Sequence, residues 1–390
     1  MHIVPFCAGI VCIFVALFDS FQTVILPRRA IGRFRITRIF YIVTWFPWSH
    51  LASHIRHSRK RETLLSYYGP LSLLLLAVIW AALLVFGYAL ILHSLRLPLT
   101  DALHGYARFD SDLYVSATTL FTLGLGDITP HSSAARFVLA IESGMGLGFL
   151  ALVVTYFPVL YGAFSRREVT ISLLDARGGS PPTAAELLRR HAYPGGSEAL
   201  NLLLVEWDRW SAELLESHIS YPLLCYFRSQ HTNQSWIGAL TAVLDVCALM
   251  VAGVRDHAAR QAQLTFAMSR HALVDLSQTF SQKPVMNAED RLPPEKFDLL
   301  YQRLCESGVK VCRDPANTER LKEMRSLYEG YAVALGRYFR MPLPPWVSEH
   351  PHKDNWLSVA RVRQATEAVS GDEVVKPAIV DVLHDDEHIF

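Results

Sequence analysis

The sequence predicts an all-α membrane protein, and three observations predict it. Three stretches with almost no charge are each long enough to cross about 30 Å of hydrocarbon. Between the second and third lies a short helical segment that can enter a membrane but not cross it. The remainder, beyond a Gly/Pro breaker, has helical periodicity throughout and no alternating strand pattern.

The first stretch, residues 3–26, carries a single charge, Asp19. Only Met1 and His2 precede it and arginines follow it, so it is expected to be a retained span rather than a cleaved signal. The second, residues 69–92, has no charged residue, and the third, residues 135–164, has only Arg136 and Glu142, near its start. Residues 36–52 are apolar and aromatic but short, contain Pro47 and are bracketed by arginines. They are expected to lie along the membrane surface, with Tyr41, Trp45 and Trp48 in the headgroup region.

Orientation follows from positive charge. The connection between the first two spans holds Arg28, Arg29, Arg33, Arg35, Arg38, Arg56, Arg59, Lys60 and Arg61 against one acid, Glu62, while the second connection has only Arg96 and Arg108. The positive-inside rule then places the N-terminus and residues 95–133 outside a cell membrane and everything after Arg166-Arg167 in the cytoplasm.

The run Gly178-Gly179-Ser180-Pro181-Pro182 ends the membrane part. Helical segments follow near 184–191, 198–217, 235–260, 262–280, 295–310 and 317–340. Residues 236–254 are almost long enough to span, but Asp245 sits in their middle, so a buried helix of a cytoplasmic all-α domain is expected. The division is 1–68 for the first span and basic segment, 69–167 for a central membrane module, 183–345 for the cytoplasmic domain and 346–390 for a loosely attached tail with a helix near 354–370.

Several function classes drop out. A net charge of +1 without a dense basic face away from the membrane flanks gives no case for nucleic acid. The six cysteines (Cys7, Cys12, Cys225, Cys247, Cys305, Cys312) contain no CxxC pair, and His218, His231, His257 and His271 lack metal-ligand spacing. No metal or organic cofactor is expected. No nucleophile–base or carboxylate pair has a catalytic setting, so an enzyme is not expected either.

The segment between the second and third spans is the informative one. Ser111 or Asp112 is placed to cap a helix running to about Phe121, whose carbonyl end favours a cation within the membrane. Thr122-Leu123-Gly124-Leu125-Gly126-Asp127 follows. To aim successive carbonyls at one axis a backbone must alternate between ordinary and positive φ, and Gly124 and Gly126 have the spacing for it. The Thr122 hydroxyl adds an oxygen at the inner end and Asp127 a carboxylate at the outer mouth; such a stack replaces the water of a dehydrated ion.

These residues resemble the potassium-channel signature Thr-Val-Gly-Tyr-Gly-Asp in its usual setting of span, pore helix, filter and span, over about residues 69–164. The resemblance implies a passive, potassium-selective channel with permeant K⁺ at residues 122–127. Because one chain supplies one filter segment, it implies a homotetramer in a lipid bilayer. Two positions depart from the pattern: Leu125 stands where Tyr or Phe is usual, and Phe121 replaces the threonine that commonly precedes Thr122. A less selective cation pore, and a non-conducting membrane sensor or scaffold built on a pore fold, are the alternatives.

Gly144, Gly146 and Gly148 lie about twenty residues past the filter, where inner helices of this family often bend. Gly146 and, lower down, Pro158 are the candidate gating hinges, against a plain packing role for the small residues. Asp19 is expected to pair with a cytoplasmic arginine and Glu142 to hydrogen-bond the pore helix. The cytoplasmic domain is expected to set open probability by sensing a ligand or partner that the sequence does not name.

Overall fold

The computed structural model describes residues 2–26, 35–95, 99–101, 105–106, 108–231, 233–254, 256–311 and 313–348. The expected helix near 354–370 lies outside them. The chain forms two compact units: Met1–Arg167 with Glu213–Arg228, and Glu168–Ala212 with Ser229–Phe390.

The first unit holds α1 (Ile3–Val24), α2 (Ile36–Ser53), α3 (Ser58–Leu95), α4 (Phe109–Leu120) and α5 (Ser133–Gly178) as far as Arg167, with three short strands between α3 and α5. Helices α1, α3 and α5 are long and apolar enough to cross a membrane, as expected; α2, broken in composition by Pro47, is not among them. The boundary expected at 68/69 falls inside α3, which extends through its charged first turns as one helix of 38 residues. Leu, Ala and Ser carry that helix past Pro70, and nothing in 58–68 terminates it.

Helix α1 packs on α3 through paired glycines. A Cβ on Gly9 would stand 2.5 Å from the Gly87 carbonyl oxygen, and one on Gly87 would stand 2.9 Å from that of Gly9. Backbones approach this closely only where both helices present small residues. Lower on α1, the buried Asp19 accepts from Trp80 Nε1 (2.9 Å) on α3 and from the Thr37 hydroxyl (2.6 Å) and backbone N–H on α2. Arg35 Nε lies 3.9 Å away, so the expected arginine is present but the direct hydrogen bonds come from Trp80 and Thr37. A carboxylate in this setting is retained because its oxygens are bonded.

Strands β1 (Leu99–Asp101), β2 (Gly105–Tyr106) and β3 (Ile128–Pro130) form an antiparallel sheet in the order β2-β1-β3, with Leu99 opposite Pro130 and Asp101 opposite Ile128. No sequence pattern marked strands two or three residues long. The sheet anchors the residue after Asp127 to the chain that leads into α4.

Residues 213–228 were expected in the cytoplasmic domain, and they instead complete the first unit. They comprise the end of α7 (Gly196–Ser220) and a 3-10 turn, Pro222–Tyr226. Tyr226 stacks on Tyr41 (5.2 Å) and meets Trp45 and Tyr68 edge-on or tilted. Arg167, buried at the lower part of α5, donates to the carbonyls of Leu224 and Phe227, both at 2.9 Å, and to His218 Nε2 at 3.1 Å. Arg228 pairs with Glu62 at 3.3 Å. Aromatic burial and a satisfied guanidinium, neither of them a periodic signal, hold this segment where it is.

The second unit is helical: α6 (Ala184–Arg190), the start of α7, α8 (Trp236–Ala252), α9 (Ala259–Thr279), α10 (Pro294–Glu306), α11 (Pro315–Ser326) and α12 (Glu329–Phe339). Thr183, Ser235 and Asp314 cap α6, α8 and α11 by accepting from the backbone N–H three residues on. The helix expected over 235–260 ends at Ala252, and that expected over 317–340 is two helices meeting near Tyr328.

Helix α8 is buried on almost every side, as its Asp245 foretold. Arg291 holds that carboxylate with two hydrogen bonds, 3.1 and 2.6 Å, and Tyr328 adds a third at 2.6 Å. Arg291 also donates to the Pro344 carbonyl at 2.7 Å. The tail was expected from residue 346, yet Trp346 and Val347 are fully buried. The Trp346 carbonyl accepts from Ala185 N–H, and its indole N–H donates to Glu329. The packed core therefore extends past 345, because Trp346 fills a space lined by the Arg291 and Arg325 guanidiniums.

Candidate functional site

Helix α4 spans only twelve residues, too short to cross a bilayer. Its N-cap is Arg108, with no side-chain cap, so neither Ser111 nor Asp112 plays the expected capping part. Both sit inside the first turn, where Asp110 and Asp112 favour the positive end of the helix dipole. Asp112 has a partner of its own, His93 Nδ1 on α3, at 3.0 Å.

At the other end the chain reverses. Phe121 N–H bonds the Ala117 carbonyl (3.1 Å), Thr122 N–H that of Thr119 (3.0 Å), and Leu123 and Gly124 N–H that of Thr118 (2.8 and 3.4 Å). The carbonyls of Ala117, Thr118 and Thr119 are thus bonded by the loop that follows. Along that loop φ is +57° at Thr122, +52° at Gly124 and +78° at Gly126, while Leu123 and Leu125 lie outside the positive region. Left-handed residues alternate with ordinary ones over five positions. The two glycines were legible in the sequence. Thr122 was not, because threonine disfavours positive φ and only the fold imposes it.

Two residues of α4, Ser116 and Tyr114, tie it to its surroundings. Ser116 donates to the Val85 carbonyl on α3 at 2.8 Å and also lies against Glu142 Oε1 on α5 in a short hydrogen bond. The Glu142 contact with the pore helix is the expected one; Val85 as a second acceptor was not foreseen. Tyr114, facing the opposite way on α4, hydrogen-bonds the Asp127 carboxylate. Leu125 has no hydroxyl for bracing the loop, and Tyr114 supplies one from a position that no motif spacing singles out.

The candidate hinges differ in surroundings. A Cβ on Gly146 would stand 2.0 Å from the Leu120 carbonyl oxygen, whereas nothing lies within 4 Å of those on Gly144 and Gly148. Gly146 is where α5 touches the end of α4, beside an apolar cluster of Ala16, Ala81, Leu84, Val85 and Leu120 with Met145 and Phe149. Helix α5 runs without interruption through both Gly146 and Pro158. Among the described residues no group of three or more His, Cys, Asp or Glu side chains gathers to hold a metal.

Three helices long enough to cross a bilayer, with a short helix and an alternating loop inserted between the second and third, define an all-α membrane protein of pore-loop design. Residues 75–161, from the middle of α3 to the lower half of α5, match the family model described as "Ion channel". The chain is also similar to an uncharacterized membrane protein of Bacillus subtilis (strain 168), YdjJ, at 27% identity over 286 residues, which is 72% of this chain and 81% of the relative. No solved structure matches it.

Proposed function

We propose that the protein is a passive potassium channel in which four copies surround one axis and residues 122–127 form the filter. The observation that carries this reading is the alternation of φ at Thr122, Gly124 and Gly126, directly after a re-entrant helix and inside the segment that matches the ion-channel family model. That alternation turns successive carbonyls toward one side. Four such loops would offer rings of oxygens in place of the ion's hydration shell. The carbonyl end of α4 adds a partial negative charge below them, and Asp127, steadied by Tyr114, adds a carboxylate above.

Leu125 favours a second reading, a less selective cation pore, since it cannot hydrogen-bond the wall around the loop. Flux from liposomes holding the full chain, with K⁺ set against Na⁺, separates the two. K⁺ flux exceeding Na⁺ flux at least tenfold is expected; equal fluxes would select the second reading. Gly124→Ala and Gly126→Ala place a Cβ at positive φ, which costs about 1–2 kcal/mol per residue, and each is expected to abolish flux while membrane insertion persists. Normal flux in both variants would end the filter assignment. The second unit begins at Glu168 within α5, and the proposal assigns it control of opening in response to a cytoplasmic ligand or partner.

A further inference from the structure

Helix α2 has two faces of different chemistry. One is buried: Phe40, Tyr41, Trp45, Ser49 and Ala52 pack inward, and Trp48 Nε1 donates to the Leu64 carbonyl at 3.1 Å. The other is an exposed apolar stripe, Ile39, Ile42, Val43 and Phe46, at the i, i+3, i+4, i+7 spacing of one helix face, with Phe46 74% exposed. His50 continues it, stacked on Phe46 at 6.4 Å, and His54 meets His50 edge-on at 4.7 Å.

The stripe then runs toward the start of α3 (Ser58), where Arg56 just before the helix and Arg59 and Lys60 in its first turn are all exposed. Residues 35–61 contain no Asp or Glu, and the first acid beyond, Glu62, is engaged by Arg228 and Arg61. None of Arg56, Arg59 and Lys60 has an acidic side chain within ion-pair distance among the described residues. A protein surface with an apolar stripe ending in three uncompensated cations suits neither water alone nor a neutral protein face. It matches the boundary of a bilayer, where acyl chains meet anionic headgroups within a few ångströms.

We infer that the exposed face of α2 and the cations Arg56, Arg59 and Lys60 around the start of α3 form a docking surface for anionic phospholipid, with Ile39, Val43 and Phe46 among the acyl chains and the cations on the phosphates. The opposite face of α2 rests on Tyr226, whose segment also holds Arg167 of α5. A lipid seated here therefore bears on the base of the inner helix, a regulatory consequence that rests on the channel reading, whereas the binding itself does not.

The test uses the full chain purified from membranes containing equal phosphatidylglycerol and phosphatidylcholine, with the retained lipid quantified, so that conduction plays no part. Retention of phosphatidylglycerol over phosphatidylcholine is expected. Neutralising Arg56→Gln, Arg59→Gln and Lys60→Gln should lower the preference about fivefold per charge at low salt. The same preference in the triple variant overturns the proposal. Phe46→Cys probes the competing occupant: rapid disulfide linkage between two copies, beyond that of the parent chain, makes this face a subunit contact and also overturns it. A wild-type chain that conducts nothing in any vesicle, yet loses phosphatidylglycerol on neutralisation, refutes the channel reading and leaves the lipid surface standing.

Discussion

Replacing Gly146 by alanine puts a methyl group against a backbone atom that cannot turn away. The new Cβ would lie 2.0 Å from the Leu120 oxygen, 2.8 Å from its carbonyl carbon and 3.0 Å from its Cα. Ordinary contact begins at 3.4 Å, so α5 and the end of α4 must part by about 1.4 Å (3.4 less 2.0) at that point. Overpacking of this kind costs about 1–3 kcal/mol, and a rigid carbonyl puts the expectation at the upper end. Against it stands the better helix propensity of alanine, about 1 kcal/mol. A net loss of about 2 kcal/mol is expected, together with displacement of a helix end only two residues from Thr122. Gly144→Ala and Gly148→Ala, with nothing within 4 Å in the chain, serve as controls that retain stability. Thermal unfolding of the three variants in detergent, followed by liposome flux, makes the comparison. If Gly146→Ala unfolds with the controls and only its opening changes, the close approach to Leu120 is not what demands glycine, and the hinge reading gains instead.

Acid should loosen the segment that completes the first unit. Burial, then the neighbouring Arg167 guanidinium, holds the His218 imidazole well below its ordinary value of 6.5, and its Nε2 is the acceptor for Arg167. The unfolded chain takes up this proton near pH 6.5 while the folded chain does not, so stability falls as pH drops below 6.5, by up to about 1.4 kcal/mol per pH unit. A His218→Gln variant that shows the same acid slope in chemical unfolding would refute this source. In the second unit, Asp245→Leu strands the buried Arg291 charge and should cost about 3–5 kcal/mol. The double variant Asp245→Leu/Arg291→Met should recover most of the loss, and a full chain in which both variants unfold alike would contradict the pairing.

The membrane helices were legible because hydrocarbon thickness imposes a length and a composition that the sequence displays directly. The short helix α4 and the glycines at 124 and 126 were legible for a similar reason, as each answers to one local physical demand. Asp245 was an informative exception within an apolar run, and the structure gives it Arg291 from forty-six residues away. What stayed hidden was set by contacts distant in sequence. Thr122 takes a positive φ that its residue type disfavours, Tyr114 on α4 meets Asp127 thirteen residues on, and Trp346 closes a core that proline-rich text had suggested was over. The caps expected at Ser111 and Asp112 were displaced because α4 starts at Phe109, where the chain leaves the small sheet.

Residues 213–228 carry a consequence for biosynthesis. A ribosome makes α1 to α5 and the stretch to Ala212 first, and only afterwards the turn bearing Tyr226 and the carbonyls of Leu224 and Phe227. Until that turn emerges, the nascent chain has its helices inserted while Tyr41, Trp45 and Tyr68 lack their covering ring and the Arg167 guanidinium lacks its acceptors. Insertion and maturation are therefore separate events in time. A premature stop anywhere in 168–212 yields a chain that can enter the bilayer with all three long apolar helices made and still leave an unfinished surface for quality-control proteases to find.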